Sequence, residues 1–205
     1  MIDPTQELSG ASLNHFILGK SGGVFKTGTK VAANFDAIAI SAEGPDFYIL
    51  GANGGIYRNR EKIAWDYDAT DIAADATGWY VLGKSGNVYK NGEKIGTDYE
   101  AVALAAHGGS FYILTVSGNV YKDGTKIDTG YDGVDIAADS HGYYILGTTG
   151  GVYRNKEKIG SDYEGIAIDA VDGHFYILTQ SGNVYRDGVK IDGNYDALDM
   201  AASAE

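Results

Sequence analysis

The chain has 205 residues, a formal net charge of −12, no cysteine, two prolines and 30 glycines. That acidity repels phosphate backbones and anionic lipid surfaces, which argues against nucleic acid as a partner, and the missing cysteines exclude disulfides and thiolate catalysis. The start lacks a basic region followed by an apolar run, and no stretch approaches the length of a membrane span, so we expect a soluble protein without signal peptide or membrane insertion and leave the compartment open.

Residues 1–13 match the rest of the chain poorly and read as an N-terminal arm, followed by one domain over residues 14–205. Within that domain the motif Ser-Gly-Asn-Val-Tyr at Ser117–Tyr121 recurs in recognisable form from Ser21, Asn53, Ser85, Thr149 and Ser181, with a period of 32 residues. A fixed period of this size is the mark of a repeat architecture. From His15 onward each copy starts with an apolar and aromatic run such as Phe47-Tyr48-Ile49-Leu50, here strand B. A Gly-rich turn follows, then a short strand C such as Val88-Tyr89-Lys90. Asn91-Gly92 or Asp123-Gly124 is the strongest short-range hairpin signal and introduces strand D, which begins at Glu93 in that copy. Arg60 and Lys156 occupy the second turn position in two copies and predict a different turn there. Segments such as Val102-Ala103-Leu104-Ala105-Ala106 alternate large and small side chains, as expected of a strand A packed closely on its neighbours.

The register of these elements closes the array. The first B-C-D set precedes the first complete strand A, and the last strand A, at Ala197–Ala202, has no strand B after it. Pairing that orphan beside His15-Phe16-Ile17-Leu18 removes both open edges. The predicted fold is all-β: a six-bladed β-propeller with four short antiparallel strands per 32-residue blade.

Aligned copies sort the side chains into columns. Four columns hold 23 of the 24 aromatics, one per blade except where His15 stands in the first column, which points to packing between blades. The exception is Trp65, whose counterparts are Ala33, Thr97, Thr129, Ser161 and Gly193. Two columns of lysine and arginine flank the C-D turn at the outer edge, where charge discourages edge-to-edge association. An acid follows each aromatic of the fourth column, from Asp36 to Asp196, and is expected to form salt bridges or backbone hydrogen bonds between blades. One column alternates as Ala39, Asp71, Ala103, Asp135, Ala167, Asp199. The alternation suggests a 64-residue pair used three times and hence pseudo-threefold symmetry.

Copies such as Asp135 to Arg154, with a small-residue strand, an aromatic strand and a Gly-Val-Tyr-Arg strand, resemble tectonin-type propeller repeats over about residues 13–202. The resemblance implies the six-bladed fold and a lectin-like, glycan-binding role. Tyr99-type residues stand where that family's fourth strand commonly has tryptophan.

No enzyme signature emerges. The repeated Ser-Gly is a turn between strands with no helix after it, and the four histidines share no metal-ligand spacing. The leading expectation is a non-enzymatic binding module for a glycan, with Trp65 and Asp66 beside Lys84 and Ser85 as the ligand site. Asp71, Asp135 and Asp199 could converge on the axis and hold calcium or magnesium, although accepting hydrogen bonds from the neighbouring blade is the expectation we weight more heavily. No other cofactor is expected. The alternative is a structural or assembly component of a larger complex, such as a virion or surface appendage, in which Ile2, Pro4 and Leu8 of the arm dock a protein partner.

Overall fold

A computed structural model of the chain describes residues 12–205, so the expected docking residues Ile2, Pro4 and Leu8 lie outside the described residues. Each copy of the repeat folds into one four-stranded antiparallel sheet, giving six blades and no helix among the described residues. In the second blade strand A is Ala37–Glu43, B is Asp46–Gly51, C is Ile56–Arg58 and D is Glu61–Ala64. The first blade is composite: Ala197–Ala204 pairs antiparallel with Leu13–Gly19, from Leu13 opposite Ala204 to Leu18 opposite Asp199. The two orphan strands therefore complete one sheet and close the ring.

The buried side chains gather in six clusters, each shared between two adjacent blades. Small residues on strand A let the inner strands approach, and the B-strand Ile-Leu pairs fill the space behind them. The aromatic columns meet across every seam. Phe35 and Tyr57, Tyr67 and Tyr89, Tyr99 and Tyr121, Tyr131 and Tyr153, Tyr163 and Tyr185, and Phe25 and Tyr195 all form edge-to-face pairs with centroids 5.3–5.7 Å apart. Each such pair contributes about 0.5–1.5 kcal/mol beyond its buried area.

Turn chemistry follows the repeat. In the motif turn, Gly118 has φ +82°, and a Cβ there would sit 2.2 Å from the Tyr131 carbonyl oxygen, so glycine is required for both backbone angle and space. The close approach is a hydrogen bond in which the Tyr131 amide donates to the Gly118 carbonyl (3.2 Å), and the same bond recurs in every blade. At the C-D turns the first residue is left-handed throughout, as at Asn91 (φ 49°) and Asp123 (φ 49°). In five of the six blades its side chain also accepts from the amide of the aromatic that opens strand B, as Asn91 does from the Trp79 amide (3.0 Å). The altered turn expected at Lys156 does not occur: Lys156 adopts φ 78° and keeps the two-residue left-handed geometry, with Asn155 accepting from the Tyr143 amide and donating to the His141 carbonyl. Arg60 does leave the left-handed region.

Candidate functional site

The inner strands surround an axial channel with a cavity of about 200 Å³. Asp71, Asp135 and Asp199 line it at threefold-related positions. Each carboxylate bridges two strands. Asp71 accepts from the Ile72 amide of its own strand and the Leu104 amide of the next blade, both at 2.9 Å. Asp135 does the same with Ile136 and Ile168, and Asp199 with Met200 and Ile40. A fourth carboxylate, Asp169, joins Ala170 to Ala202 across the seam between the sixth blade and the C-terminal strand of the first. Burial pushes all four acids up, Asp71 and Asp169 to about 7, and mutual repulsion raises Asp135 and Asp199 further. Among the described residues no group of three or more acids or histidines is placed to hold a metal ion. Both oxygens of each of these carboxylates already face backbone amides.

More carboxylate clasps recur at the end of the channel that carries the A-B turns. Asp75 accepts from Thr77, Tyr80 and the Gly109 amide of the next blade, and Asp139 accepts from His141, Tyr144 and Gly173. Farther out, Asp128 takes hydroxyl protons from Tyr131 (2.5 Å) and Tyr143 (2.6 Å), while Asp192 takes one from Tyr195 (2.7 Å) and meets His15 Nε2 (2.8 Å). Sequence reasoning missed these outer clasps, yet a signal was present. The strand-D position held by Ala32, Ala64, Gly96 and Gly160 becomes an acid only before the two blades whose first aromatic column is Tyr143 or His15. One seam stands apart: between the second and third blades, no side-chain hydrogen bond crosses among the described residues.

The opposite end of the channel, where the D-A connections enter, has different chemistry. Every A-B pairing has a bulge at the second residue of strand A, which is Ile38, Thr70, Val102, Val134, Ile166 or Leu198, and of these Val102, Val134 and Ile166 are half-buried against the clusters between blades. Ile38 and Leu198 are each 40% exposed, and Val116 on an adjacent B-C turn is 72% exposed. Two residues before each bulge lies an exposed acid: Asp36, Asp68, Glu100, Asp132, Glu164 and Asp196. Their carbonyls accept B-C turn amides, as from Val116 to Glu100 (2.8 Å). The expected salt bridges between blades are instead formed within blades, Asp68 with Lys84 (2.8 Å) and Asp196 with Lys20 (3.1 Å), because the acid and the B-C turn it reaches belong to the same sheet.

Trp65 is 59% exposed on this face, with the Lys62 ammonium 5.7 Å from its ring centroid. Asp66 is exposed with φ 74°. Lys84 spends its charge on Asp68, and the Ser85 hydroxyl accepts from Asn87 (2.9 Å), so both are engaged inside the third blade.

No family model matches the chain, and the search of curated proteins finds no relative. Solved structures do resemble it. BBS1N in complex with ARL6DN is 14% identical over 91% of this chain and 80% of that one, with a TM-score of 0.57. Hsv2 of Kluyveromyces lactis is 9% identical over 84% of this chain and 68% of that one, with a TM-score of 0.51. At such identities the likeness establishes the propeller fold. Among the described residues no helix is long and apolar enough to cross a membrane.

Proposed function

We propose that the chain is a non-enzymatic docking propeller that binds a protein partner over the axial mouth on the D-A face. The observation that carries this reading is the exposure of Ile38, Leu198 and Val116, with half-buried Val102, Val134 and Ile166 at the equivalent bulges, on the face that carries six exposed carboxylates. An apolar centre within a charged rim is the anatomy of a protein interface. The complementary partner presents an apolar tip flanked by lysine or arginine, and the net charge of −12 favours its approach. A photo-crosslinker at Leu198, used in the native cell, should trap one partner, and Ile38→Asp with Ile166→Asp should abolish the trapping. Equal trapping from Lys94 on the outer rim, or trapping insensitive to those substitutions, refutes this reading.

A glycan reading is favoured by one feature, the exposed Trp65 ring. Saturable quenching of Trp65 fluorescence by a glycan, lost in Trp65→Ala, supports it. Unchanged fluorescence across a glycan panel removes it.

A further inference from the structure

The seam between the second and third blades, the one without side-chain hydrogen bonds across it among the described residues, opens on the A-B turn face into a cavity of about 430 Å³. Most polar groups around it are already satisfied. Asp75 holds Thr77, Tyr80 and Gly109; Asn91 holds Trp79 and Thr77; the Arg58 guanidinium is gripped by Asp46. Two groups are not. Tyr48 is only 6% exposed, lines the cavity, and its hydroxyl has no hydrogen-bond partner among the described residues. Its counterparts Tyr80 and Tyr144 both donate to an aspartate. Where those blades have the aspartate, the second blade has Glu43, a half-buried carboxylate that also lines the cavity and has no partner among the described residues. The remaining wall is apolar, from Ile63 and the Trp79 ring.

We propose that this cavity binds a lysine side chain of a protein partner. The Glu43 carboxylate receives the ammonium, the Tyr48 hydroxyl oxygen accepts a second of its protons, and the four-carbon stem lies along Ile63 and Trp79. A sugar fits this chemistry less well, since among the described residues its several hydroxyls would meet only two free polar groups. An anion is disfavoured because Arg58 is already neutralised by Asp46 and Asp75 faces the same space. Sequence comparison among the copies points to the same seam: Trp79 is the sole tryptophan of its column, and Ala64 stands where two other blades have the clasping Asp128 and Asp192. The cavity thus replaces interactions that hold other seams shut.

The test uses a Trp65→Phe background, leaving Trp79 as the only tryptophan, and titrates Nα-acetyl-lysine methylamide, its uncharged norleucine analogue and glucosamine. The lysine derivative should change Trp79 fluorescence saturably, the norleucine analogue should bind at least about tenfold more weakly, and Glu43→Gln should lower lysine affinity by a similar factor. Tyr48→Phe should weaken lysine severalfold. Thermal melts of both variants establish that they are folded. Absence of a saturable signal, equal binding of the norleucine analogue, an unchanged affinity in Glu43→Gln, or tighter binding of glucosamine each overturns the proposal. The site lies on the face opposite the axial ring, so Ile38→Asp leaves these titrations unchanged and failure of one reading does not decide the other.

Discussion

Replacing Asp169 by asparagine tests the carboxylate clasp between the sixth blade and the C-terminal strand of the first. Asp169 accepts the Ala170 amide at 2.8 Å and the Ala202 amide at 2.7 Å. Burial raises its carboxyl from 3.8 to about 7. A folded-state pKa above the unfolded value means that the folded protein holds the proton more tightly. The associated stability is therefore full below about pH 4 and is lost as pH rises through 7. At about 1.4 kcal/mol per pH unit the loss in a dry site would be roughly 4 kcal/mol, and since Asp169 lines the channel we take ~2 kcal/mol. Asparagine offers one acceptor to two amides and costs about 1 kcal/mol, but it does not titrate. In urea unfolding followed by circular dichroism, Asp169→Asn should be less stable than the native protein by about 1 kcal/mol at pH 4.5 and more stable by about 1 kcal/mol at pH 8. A difference that does not change with pH, or one that grows in favour of the native protein as pH rises, refutes the reasoning.

The outer clasp should show coupling in a double-mutant cycle. Tyr143→Phe and Asp128→Asn together should cost about 1–2 kcal/mol less than the sum of the single changes, measured by denaturation at pH 7. The hydrogen bonds from Tyr131 and Tyr143 hold Asp128 below its ordinary value despite burial, so its contribution is present at neutral pH and lost as the solution is acidified below about pH 4. Gly118→Ala should destabilise by ~2 kcal/mol or more, because the new methyl meets the Tyr131 carbonyl at φ +82°. Tyr80→Phe should cost about 1 kcal/mol, whereas Tyr176→Phe should be neutral or stabilising. The Tyr176 hydroxyl is buried without a hydrogen-bond partner among the described residues, since Val171 stands where Asp75 and Asp139 serve the other blades.

Much of the fold was legible because the same local physics is written six times. A single Asn-Gly is ambiguous, but six turns at one spacing define strand lengths, and the orphan strand at Ala197 leaves only closure onto His15-Phe16. The sites were less legible. Trp65 stands exposed outside the packing columns, while Lys84 and Ser85, expected beside it, are engaged inside the third blade. The exposure of Ile38 and Leu198 was invisible, because strand alternation alone does not reveal where a bulge falls. Lys156 shows the reverse failure: local propensity argued against its turn, yet it adopts φ 78° there.

The sequence by itself determined the blade count, the strand order, the closure and the alternation of aspartates, since periodicity and register need no knowledge of distances. Only the tertiary structure decided what those aspartates touch and, among the described residues, which seam lacks a clasp and which polar groups remain free. Seams bring together residues about 33 positions apart, or 177 in the case of His15 and Asp192. Whether a carboxylate there binds an amide, a hydroxyl or nothing depends on separations of a few tenths of an ångström that no repeat pattern encodes.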